Sequence, residues 1–369
     1  MSGGGLNPEH FDFSRIANFP GIFGRKQGIL LGVWLCVSIL GFAGCTPRVQ
    51  DFVSQAVTPS IANGAVVVSD GTRLPLRTWK SEGPETHVII ALHGFNDYSN
   101  AFTLPAEWWS SHGVTTYAYD QRGFGSASDP GIWPGIQNLV QDLYDVIEAV
   151  RVRHPDASVV LAGSSMGGAV VLAAYGSPPI PNVRDQAPST LIRARTPPSV
   201  QGAILSAPAV WGRATMNPVY RAVLWLMAHI APAAHVSGRN LNITPSDNIE
   251  MLRALSKDPL VIKNTRTDSV YGLVNLMDAA LDSARRLSIP ALVLYGDKDE
   301  IIPRGATRLM VERLEPRHRF VLYPDGYHML FRDLQAETVW RDTLAWIRDP
   351  DGVFPSGQGR DARAKLAQN

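Results

Sequence analysis

A serine between two glycines is the first group in this sequence whose type and spacing could do chemistry. Residues 158–175 read SVVLAGSSMGGAVVLAAY, so Gly163, Ser165 and Gly167 form a G-x-S-x-G motif directly after a short apolar run. The run predicts a buried strand, and the segment after the motif has helical character. In a strand–turn–helix of this kind the central serine takes strained backbone angles and exposes its hydroxyl, while the glycines give the turn room. Ser165 is therefore a candidate nucleophile, although a Gly-rich turn without catalytic function can carry the same motif.

A serine hydroxyl becomes a good nucleophile only when a histidine can take its proton and a carboxylate orients that histidine. His328 follows the last predicted strand, residues 320–323, on a glycine-containing loop that can reach back to the serine. The carboxylates near the same predicted sheet edge are Asp297, Asp299, Glu300 and Asp325. The order serine, acid, histidine is that of an α/β-hydrolase triad. The residues alone leave the identity of the acid open among these four.

Apolar runs alternate with helix-like segments on either side of these candidates. The predicted strands cover residues 87–92, 115–119, 159–162, 200–206, 291–295 and 320–323. Residues 136–152 carry an apolar stripe at helical spacing, and two strand-like runs around Asp70-Gly71 predict a β-hairpin. Strands that alternate with helices form a mainly parallel sheet covered by helices on both faces. The sequence thus predicts the α/β class, with the candidate residues at the carboxyl edge of the sheet.

Several motifs together are more specific than the serine motif alone. They are His93-Gly94, Asp120-x-Arg122-Gly123-x-Gly125-x-Ser126, Gly163-x-Ser165-Met166-Gly167-Gly168, Gly296-x-x-Asp299-x-x-Ile302-Pro303 and Gly326-x-His328. With them the chain resembles the monoacylglycerol lipase and lysophospholipase branch of the α/β-hydrolases over about residues 60–348. The resemblance implies the α/β-hydrolase fold for residues 63–349. It also selects Asp299 as the acid, with Asp297 as the fallback, because the family's acid lies three residues after the glycine.

The negative charge on a tetrahedral intermediate needs two preorganised donors. The residue after the nucleophile supplies one backbone N–H, here that of Met166 at the start of the predicted helix. The resemblance implies the backbone N–H of Phe95 as the second donor. It also matches His93, Asp120 and Arg122 to positions that shape the loops around the site. We interpret these three residues as structural rather than as ligands or bases.

A long insertion, about residues 207–287, separates two predicted strands where this family carries its helical lid. Asn217-Pro218 starts a helix that is apolar on nearly every face, through Val219, Tyr220, Val223, Leu224, Trp225, Leu226, Met227 and Ile230. A helix of this kind is normally buried. In a lid, its surplus apolar residues would instead line an acyl-chain tunnel or contact a membrane. The candidates for substrate contact are Tyr220, Leu224, Trp225 and Met227, and Asp258-Pro259-Leu260 also resembles the family's lid.

The N-terminal region has the layout of a secretory signal. Arg25 and Lys26 precede an apolar run from Gly28 to Gly44, and small residues stand directly before Cys45. This ending resembles a bacterial lipoprotein signal in which Cys45 would carry the lipid. The alternatives are an uncleaved anchor helix and a buried core helix. Either of the first two interpretations tethers the domain outside the cytoplasm.

Under the tethered interpretations, residues 1–45 are a signal or anchor segment and residues 46–62 form a linker. Residues 350–369 are predicted to be a polar, flexible tail.

Composition narrows the classes of function. The net charge of +1 does not favour a nucleic-acid partner, and the only cysteines, Cys36 and Cys45, leave no Cys-based metal site in the domain. We therefore expect no metal and no cofactor. The favoured hypothesis is a serine hydrolase of lipid-like acyl esters, monoacylglycerols or lysophospholipids, acting beside a membrane surface. The alternatives are a short-chain esterase, a thioesterase, an aminopeptidase or a non-catalytic binding protein of the same fold. The sequence does not predict an oligomeric state.

Overall fold

The computed structural model describes residues 46–53, 56–176, 196–238 and 242–368. The predicted signal or anchor segment, with Cys36 and Cys45, lies outside these residues. Within the described ranges, no helix is both long enough and apolar enough to cross a bilayer.

The strands of the described residues follow the predicted order. They are β1 (Ser60–Ala62), β2 (Ala65–Val67), β3 (Arg73–Trp79), β4 (His87–Leu92), β5 (Val114–Tyr119), β6 (Ser158–Ser164), β7 (Gly202–Ser206), β8 (His235–Val236), β9 (Thr265–Arg266), β10 (Ala291–Gly296) and β11 (Arg319–Tyr323). Nine of them form one sheet in the order β1-β2-β3-β5-β4-β6-β7-β10-β11, and β8 pairs with β9. The six strands from β5 to β11 in this sheet run parallel, and β1, β2 and β3 pair antiparallel.

Helices cover both faces of this sheet. They are α1 (Thr103–Ser110), α2 (Ile136–Arg153), α3 (Met166–Tyr175), α4 (Pro218–Ile230), α5 (Ile249–Lys257), α6 (Thr267–Ser283), α7 (Arg304–Arg313), α8 (Ala336–Arg348) and α9 (Ala362–Ala367). Successive side chains of a strand point to opposite faces. Accordingly, Ile90 and Leu92 of β4 belong to one hydrophobic core, while Ile89 and Ala91 belong to the other. The predicted α/β class with a mainly parallel sheet is confirmed.

The long insertion is shorter than its predicted range of residues 207–287. Helix α6 packs against α3, and its Leu276 and Ala280 are fully buried in the main core. A Cβ on Gly176 would lie 2.4 Å from the carbonyl oxygen of Ser283, which shows how closely the ends of these two helices approach. Helix α6 is therefore a layer of the domain itself. We call the remaining part, residues 211–238 and 242–266, the cap segment.

The predicted flexible tail is ordered in the structure, so that prediction is wrong for residues 350–368. Phe354 and Leu366 are buried, and Arg363 donates hydrogen bonds to the carbonyl oxygens of Val311 and His318. The physical reason is that a few isolated apolar side chains each find a place beside β11 and α7. Such isolated residues produce no periodic pattern in the sequence.

Candidate active site

Ser165 lies at the sharp turn between β6 and α3. Its backbone angles are φ 51° and ψ −112°, a region that a non-glycine residue rarely occupies. A Cβ on Gly163 would lie 2.5 Å from the backbone nitrogen of Gly168, and a Cβ on Gly167 would lie 2.1 Å from the carbonyl oxygen of Leu92. Both motif positions must therefore be glycine for the turn to pack against β4 and α3. The turn holds the serine side chain in a half-exposed position.

His328 and Asp299 form a buried pair. The Asp299 Oδ2 atom lies 2.9 Å from the His328 Nδ1 atom. Asp299 Oδ1 accepts hydrogen bonds from the backbone N–H groups of Ile301 and Ile302, at 2.8 Å and 3.0 Å. An ionised carboxylate only accepts hydrogen bonds, so the imidazole proton that faces it is on Nδ1. The other ring nitrogen, Nε2, is then free to take a proton.

The other candidate carboxylates bond elsewhere. Asp297 pairs with Arg304, and the exposed Asp325 pairs with Lys298 at 2.7 Å. Glu300 accepts the backbone N–H of Thr244 at 2.6 Å. Among the four carboxylates that the residues alone left open, Asp299, which the family resemblance selects, is the one bonded to His328.

The serine, the acid and the histidine lie at one edge of the sheet. Ser165 directly follows β6, Asp299 follows β10 and His328 follows β11, and these strands are close neighbours in the parallel order β6-β7-β10-β11. The carboxyl ends of parallel strands meet at the same edge. The loop after β4 also reaches this edge, because a Cβ on Gly94 would lie 3.4 Å from the Ser165 Cβ.

Two backbone N–H groups at this edge are available to a ligand. They belong to Phe95 in the loop after β4 and to Met166, the first residue of α3. Neither donates a hydrogen bond to another residue of the described part of the chain. The N–H groups of a helix's first turn have no partner within the helix. An oxyanion is the kind of group that such donors bind.

His93 orients the Phe95 N–H group through the preceding peptide. Its Nδ1 atom lies 2.8 Å from the carbonyl oxygen of Gly94, and its Nε2 atom accepts the backbone N–H of Gln121 at 2.9 Å. In a trans peptide the C=O and N–H bonds point in opposite directions, so the Phe95 N–H points away from His93. Complete burial lowers the pKa of His93, which favours the neutral ring that this bonding pattern requires.

Asp120 and Arg122 hold loops together. The two carboxylate oxygens of Asp120 accept the backbone N–H groups of Ser99 and Ser126. The guanidinium of Arg122 pairs with Asp142 and Asp70, both at 2.8 Å. These bonds connect the loop after β5 to helix α2 and to the turn between β2 and β3.

The apolar helix of the insertion is α4, and it lies at the surface. Asn217 caps it by accepting the N–H of Val219, as the sequence predicts. Of its apolar side chains Ala228 is buried and Leu224 half-buried, whereas Tyr220, Trp225 and Met227 are exposed. The interpretation of this helix as an ordinary buried helix is therefore wrong.

Sequence reasoning missed a set of polar contacts beside Phe95. Asn96 accepts the backbone N–H of Ile262 at 3.0 Å and donates from its side chain to Thr265 at 2.7 Å. The Tyr98 hydroxyl donates to Asp258 at 2.7 Å, and burial together with this bond raises the pKa of Tyr98 to about 12. The loop after β4 is thereby joined to the cap segment. The signal that could have indicated this is the polar run Asn96-Asp97-Tyr98 directly after a buried strand.

A second missed contact joins the same loop to the histidine loop. Arg332, four residues after His328, pairs with the buried Asp97 at 2.5 Å.

As for metals, the described residues contain no cluster of three or more His, Cys, Asp or Glu side chains that could hold an ion.

A parallel sheet with a strained serine after one strand and a paired carboxylate and histidine after two later strands defines an α/β-hydrolase. A family model supports the same conclusion: the one described as serine aminopeptidase, S33, matches residues 83–335. The chain belongs to this hydrolase family, and the resemblance to its monoacylglycerol lipase branch is confirmed.

Relatives extend the similarity over most of the chain. The monoacylglycerol lipase of Mycolicibacterium smegmatis is 26% identical over 280 residues, which are 75% of this chain and 93% of that protein. The monoglyceride lipase of Mus musculus is 23% identical over 287 residues, 76% of this chain and 89% of that protein. The crystal structure of Paleococcus ferrophilus monoacylglycerol lipase has a TM-score of 0.57 and 22% identity, with 74% of this chain and 98% of that chain covered. This structural similarity shows the fold.

Proposed function

We propose that the protein is a serine hydrolase that cleaves acyl esters of lipid-like alcohols through an acyl-enzyme. The observation that carries the proposal is the buried Asp299–His328 pair at the sheet edge where Ser165 occupies its strained turn. A nucleophile, a base and an orienting carboxylate are the three parts that acyl transfer by a serine requires.

In the first half of the reaction, His328 Nε2 takes the Ser165 hydroxyl proton as the serine oxygen attacks the ester carbonyl carbon. The tetrahedral intermediate collapses when its bond to the alcohol oxygen breaks, and His328 returns the proton to the leaving alcohol. In the second half, His328 takes a proton from the water that attacks the acyl carbon, the bond to the Ser165 oxygen breaks, and His328 returns the proton to Ser165 as the carboxylic acid leaves. Asp299 keeps the imidazole in the required tautomer and stabilises its charged form in both halves.

The oxygen of each tetrahedral intermediate carries a negative charge that forms and disappears during the reaction. The N–H groups of Phe95 and Met166 are the proposed donors to this oxygen, since both lie beside Ser165 in the chain or in space and lack a described partner. The N-terminal end of α3 adds the positive end of its helix dipole at the same place. Each such donor typically accelerates the reaction by about two to three orders of magnitude.

The proposed substrates are monoacylglycerols or lysophospholipids. Two observations support a substrate with a long acyl chain. The relatives of this chain include proteins named monoacylglycerol lipase and phospholipase, and α4 presents a largely apolar surface in the insertion of the family's lid. Tyr220, Leu224, Trp225 and Met227 are the proposed acyl-chain contacts. A short-chain esterase, a thioesterase or an aminopeptidase would use the same three catalytic residues.

A fluorophosphonate probe tests the nucleophile. We expect the probe to label the wild-type protein covalently and to leave Ser165→Ala unlabelled, as read by mass spectrometry of the intact chain. Ser164→Ala is the matched control, because it changes the neighbouring serine, and it should remain labelled. Equal labelling of wild type and Ser165→Ala would overturn the assignment, and no labelling of the wild type would favour a binding protein.

Hydrolysis rates on a substrate panel test the substrate class. The panel contains monoacylglycerols, lysophospholipids, short-chain esters and aminoacyl anilides. We expect the rate to rise with acyl-chain length, because each buried methylene contributes about 0.8 kcal/mol to binding. A rate that does not increase beyond short acyl chains would contradict the long-chain assignment.

We also propose that the N-terminal segment tethers the domain to a membrane. Support comes from the sequence alone, where a basic pair precedes an apolar run that ends at Cys45. We expect Cys45→Ser to abolish incorporation of a radiolabelled fatty acid and Cys36→Ser to leave it unchanged. Unchanged incorporation in Cys45→Ser would exclude lipidation at this cysteine, and the anchor-helix interpretation would then replace it.

A further inference from the structure

The loop after β4 begins with a tight turn of four residues, Gly94–Asp97. The backbone N–H of Asp97 donates to the carbonyl oxygen of Gly94 at 3.3 Å, which closes the turn. The third residue, Asn96, has a φ of 65°. A type II turn requires a positive φ at this position, and Gly and Asn adopt it more readily than other residues. Phe95 is the second residue, so the orientation of its N–H group depends on the geometry of the turn.

The domain holds the first half of this turn. The His93 ring bonds the carbonyl oxygen of Gly94 at 2.8 Å. The ring of Phe95 packs edge-on against that of Phe124, with centroids 5.5 Å apart, and its centroid lies 6.3 Å from that of Trp133. Both of these partners belong to the main hydrophobic core. The Phe95 side chain is therefore fixed on the side of the domain.

The cap segment holds the second half. The carbonyl oxygen of Asn96 accepts the backbone N–H of Ile262 at 3.0 Å, and its side-chain Nδ2 donates to Thr265 Oγ1 at 2.7 Å. Thr265 is 7% exposed and lies in β9, where it pairs with Val236 of β8. A glycine at position 96 would suit the turn equally well, but it could not form the side-chain bond. The asparagine thus adds a link from the turn to the cap segment.

The bond to Thr265 is what orients the Asn96 side chain. The Oδ1 atom of Asn96 is buried and has no hydrogen-bond partner among the described residues, so its amide is fixed from Nδ2 alone. The cap segment itself buries few side chains, because α4 has Ala228 as its one buried residue and α5 has none. Segments with few buried contacts separate from a domain at a low cost in free energy. A displacement of the cap would therefore release the amide of Asn96.

We infer that Asn96 is a positioning residue through which the cap segment holds the Phe95 N–H group in place for the tetrahedral intermediate. The inference rests on the proposed ester hydrolysis. While Thr265 holds Asn96, the turn stays closed and the Gly94–Phe95 peptide keeps one orientation. Without this bond the peptide rotates more freely, and a donor stabilises a developing charge only if its direction is fixed beforehand. The cap thus acts on the chemical step, in addition to the acyl-chain contacts that we propose for α4.

Thr265→Val tests the inference from the side of the cap. Valine has the shape of threonine but cannot accept the Asn96 amide proton. For p-nitrophenyl butyrate in solution we expect kcat to fall about tenfold and KM to stay within about twofold, since complete loss of an oxyanion donor costs about two to three orders of magnitude. Thr265→Ser restores the hydroxyl and should keep kcat within about twofold of the wild type. A higher KM with unchanged kcat in Thr265→Val would assign the bond to substrate binding and overturn the inference.

Tyr98→Phe is the matched control. It removes a bond of the same length, 2.7 Å, between the same loop and the cap segment, but Tyr98 lies outside the turn. We expect it to change kcat by less than about threefold. An equal loss of kcat in Tyr98→Phe and Thr265→Val would show that any loosening of the cap has this effect, and the specific role of Asn96 would be excluded.

A double-mutant cycle tests whether Asn96 and Thr265 act through one bond. Asn96→Gly keeps the positive φ of the turn and removes the side chain, so we expect about the same tenfold loss of kcat. The combined variant Asn96→Gly, Thr265→Val should then lie within about twofold of Asn96→Gly alone, because both changes remove the same bond. Losses that multiply in the combined variant would show two independent effects and overturn the link.

An inhibitor that carries the charged oxygen separates positioning from a general loss of structure. When 1,1,1-trifluoro-2-heptanone binds, the Ser165 oxygen adds to the carbonyl carbon, His328 takes the serine proton, and the ketone oxygen becomes the anion. We expect the inhibition constant to rise in Thr265→Val by the factor by which kcat/KM falls, and the melting temperature to stay within about 2 °C. An unchanged inhibition constant beside a lower kcat would overturn the inference. A wild-type protein that neither hydrolyses esters nor binds the ketone would overturn the proposed function as well, whereas an active wild type matched by Thr265→Val would overturn the inference alone.

Discussion

The catalytic edge of the sheet and the cap segment are built on opposite principles. At the edge, Asp299 and His328 are buried and every polar atom described above that orients them is hydrogen-bonded. In the cap, α5 has no buried residue and α4 has Ala228 alone. Chemistry on a carbonyl group needs atoms that are fixed before the substrate arrives. Contact with varied acyl chains, which we propose for the cap, needs apolar surface, and this surface is left open there.

The largest effect that this comparison predicts is a fall in kcat when a residue of the catalytic edge is changed. Asp299→Asn removes the charge that stabilises the protonated imidazole and alters its tautomer, so we expect kcat to fall by about three to four orders of magnitude. Asp297→Asn is the matched control, two residues away on the same loop and paired with Arg304 instead. It should change kcat by less than about threefold, because the pair is largely at the surface. Comparable losses in both variants would contradict the assignment of the acid.

The second prediction compares a glycine of the edge with a glycine of the cap. In Gly167→Ala the new methyl group would meet the Leu92 carbonyl oxygen at 2.1 Å, whereas at Gly238 no atom of the described residues lies within 4 Å of the corresponding position. We expect Gly167→Ala to lower the free energy of unfolding by about 3 kcal/mol, and Gly238→Ala to change it by less than about 0.5 kcal/mol. Urea denaturation measures both. A Gly167→Ala protein as stable as the wild type would show that the turn between β6 and α3 tolerates a side chain at this position.

The third prediction concerns the two sides of the loop after β4. His93 bonds the Gly94 carbonyl on the side of the sheet, and Tyr98 bonds Asp258 of the cap segment. His93→Leu removes the bond that orients the Phe95 N–H group, so we expect kcat to fall about a hundredfold with little change in KM. Tyr98→Phe removes a cap contact and should change kcat by less than about threefold.

A melting-temperature measurement accompanies these two variants, so that loss of fold is separated from loss of oxyanion stabilisation. The positioning role of His93 is excluded if the His93→Leu protein keeps both its melting temperature and its kcat. A lower KM together with the lower kcat would instead indicate that His93 acts on substrate binding.

The parts of this structure that could be predicted from sequence are those with local signals. The strand, the glycines and the serine of the turn at Ser165 are consecutive in the sequence. The apolar pattern and the turn residues therefore suffice to predict Ser165 as the nucleophile. The parallel sheet follows from the alternation of apolar runs and helical stripes. Composition and spacing could not separate Asp297 from Asp299, because the two carboxylates lie in one loop. They differ only in their partners in the folded chain, which are Arg304 for Asp297 and His328 for Asp299.

The missed features depend on contacts between distant segments. The end of the insertion was misplaced because the amphipathic pattern of α6 is the same whether the helix packs on α3 or belongs to a lid. The tail was misjudged because Phe354 and Leu366 are single apolar residues whose partners are set by tertiary structure. The predicted linker, residues 46–62, is bonded to the domain through residues 48–51, and the sequence does not indicate this because most of these bonds use backbone groups.

The smallest predicted effect uses two histidines, one in the domain and one in the cap. His318 is buried, and neither of its ring nitrogens bonds another described residue. Burial lowers its pKa from 6.5 to about 4. Between these pH values the unfolded chain binds a proton that the folded chain does not. The free energy of unfolding therefore falls as the pH decreases from about 6.5 to about 4, and this contribution is constant above that window.

Replacement of His318 by an aromatic residue of similar shape isolates that contribution. We expect His318→Phe to flatten the decline in stability between pH 6.5 and 4, as measured by urea denaturation at a series of pH values. His235→Phe in the exposed strand β8 is the matched control, and it should leave the pH dependence parallel to that of the wild type. Parallel curves for His318→Phe and the wild type would show that this ring accepts its proton within the folded protein. The folded domain would then hold a charged imidazole at this buried position.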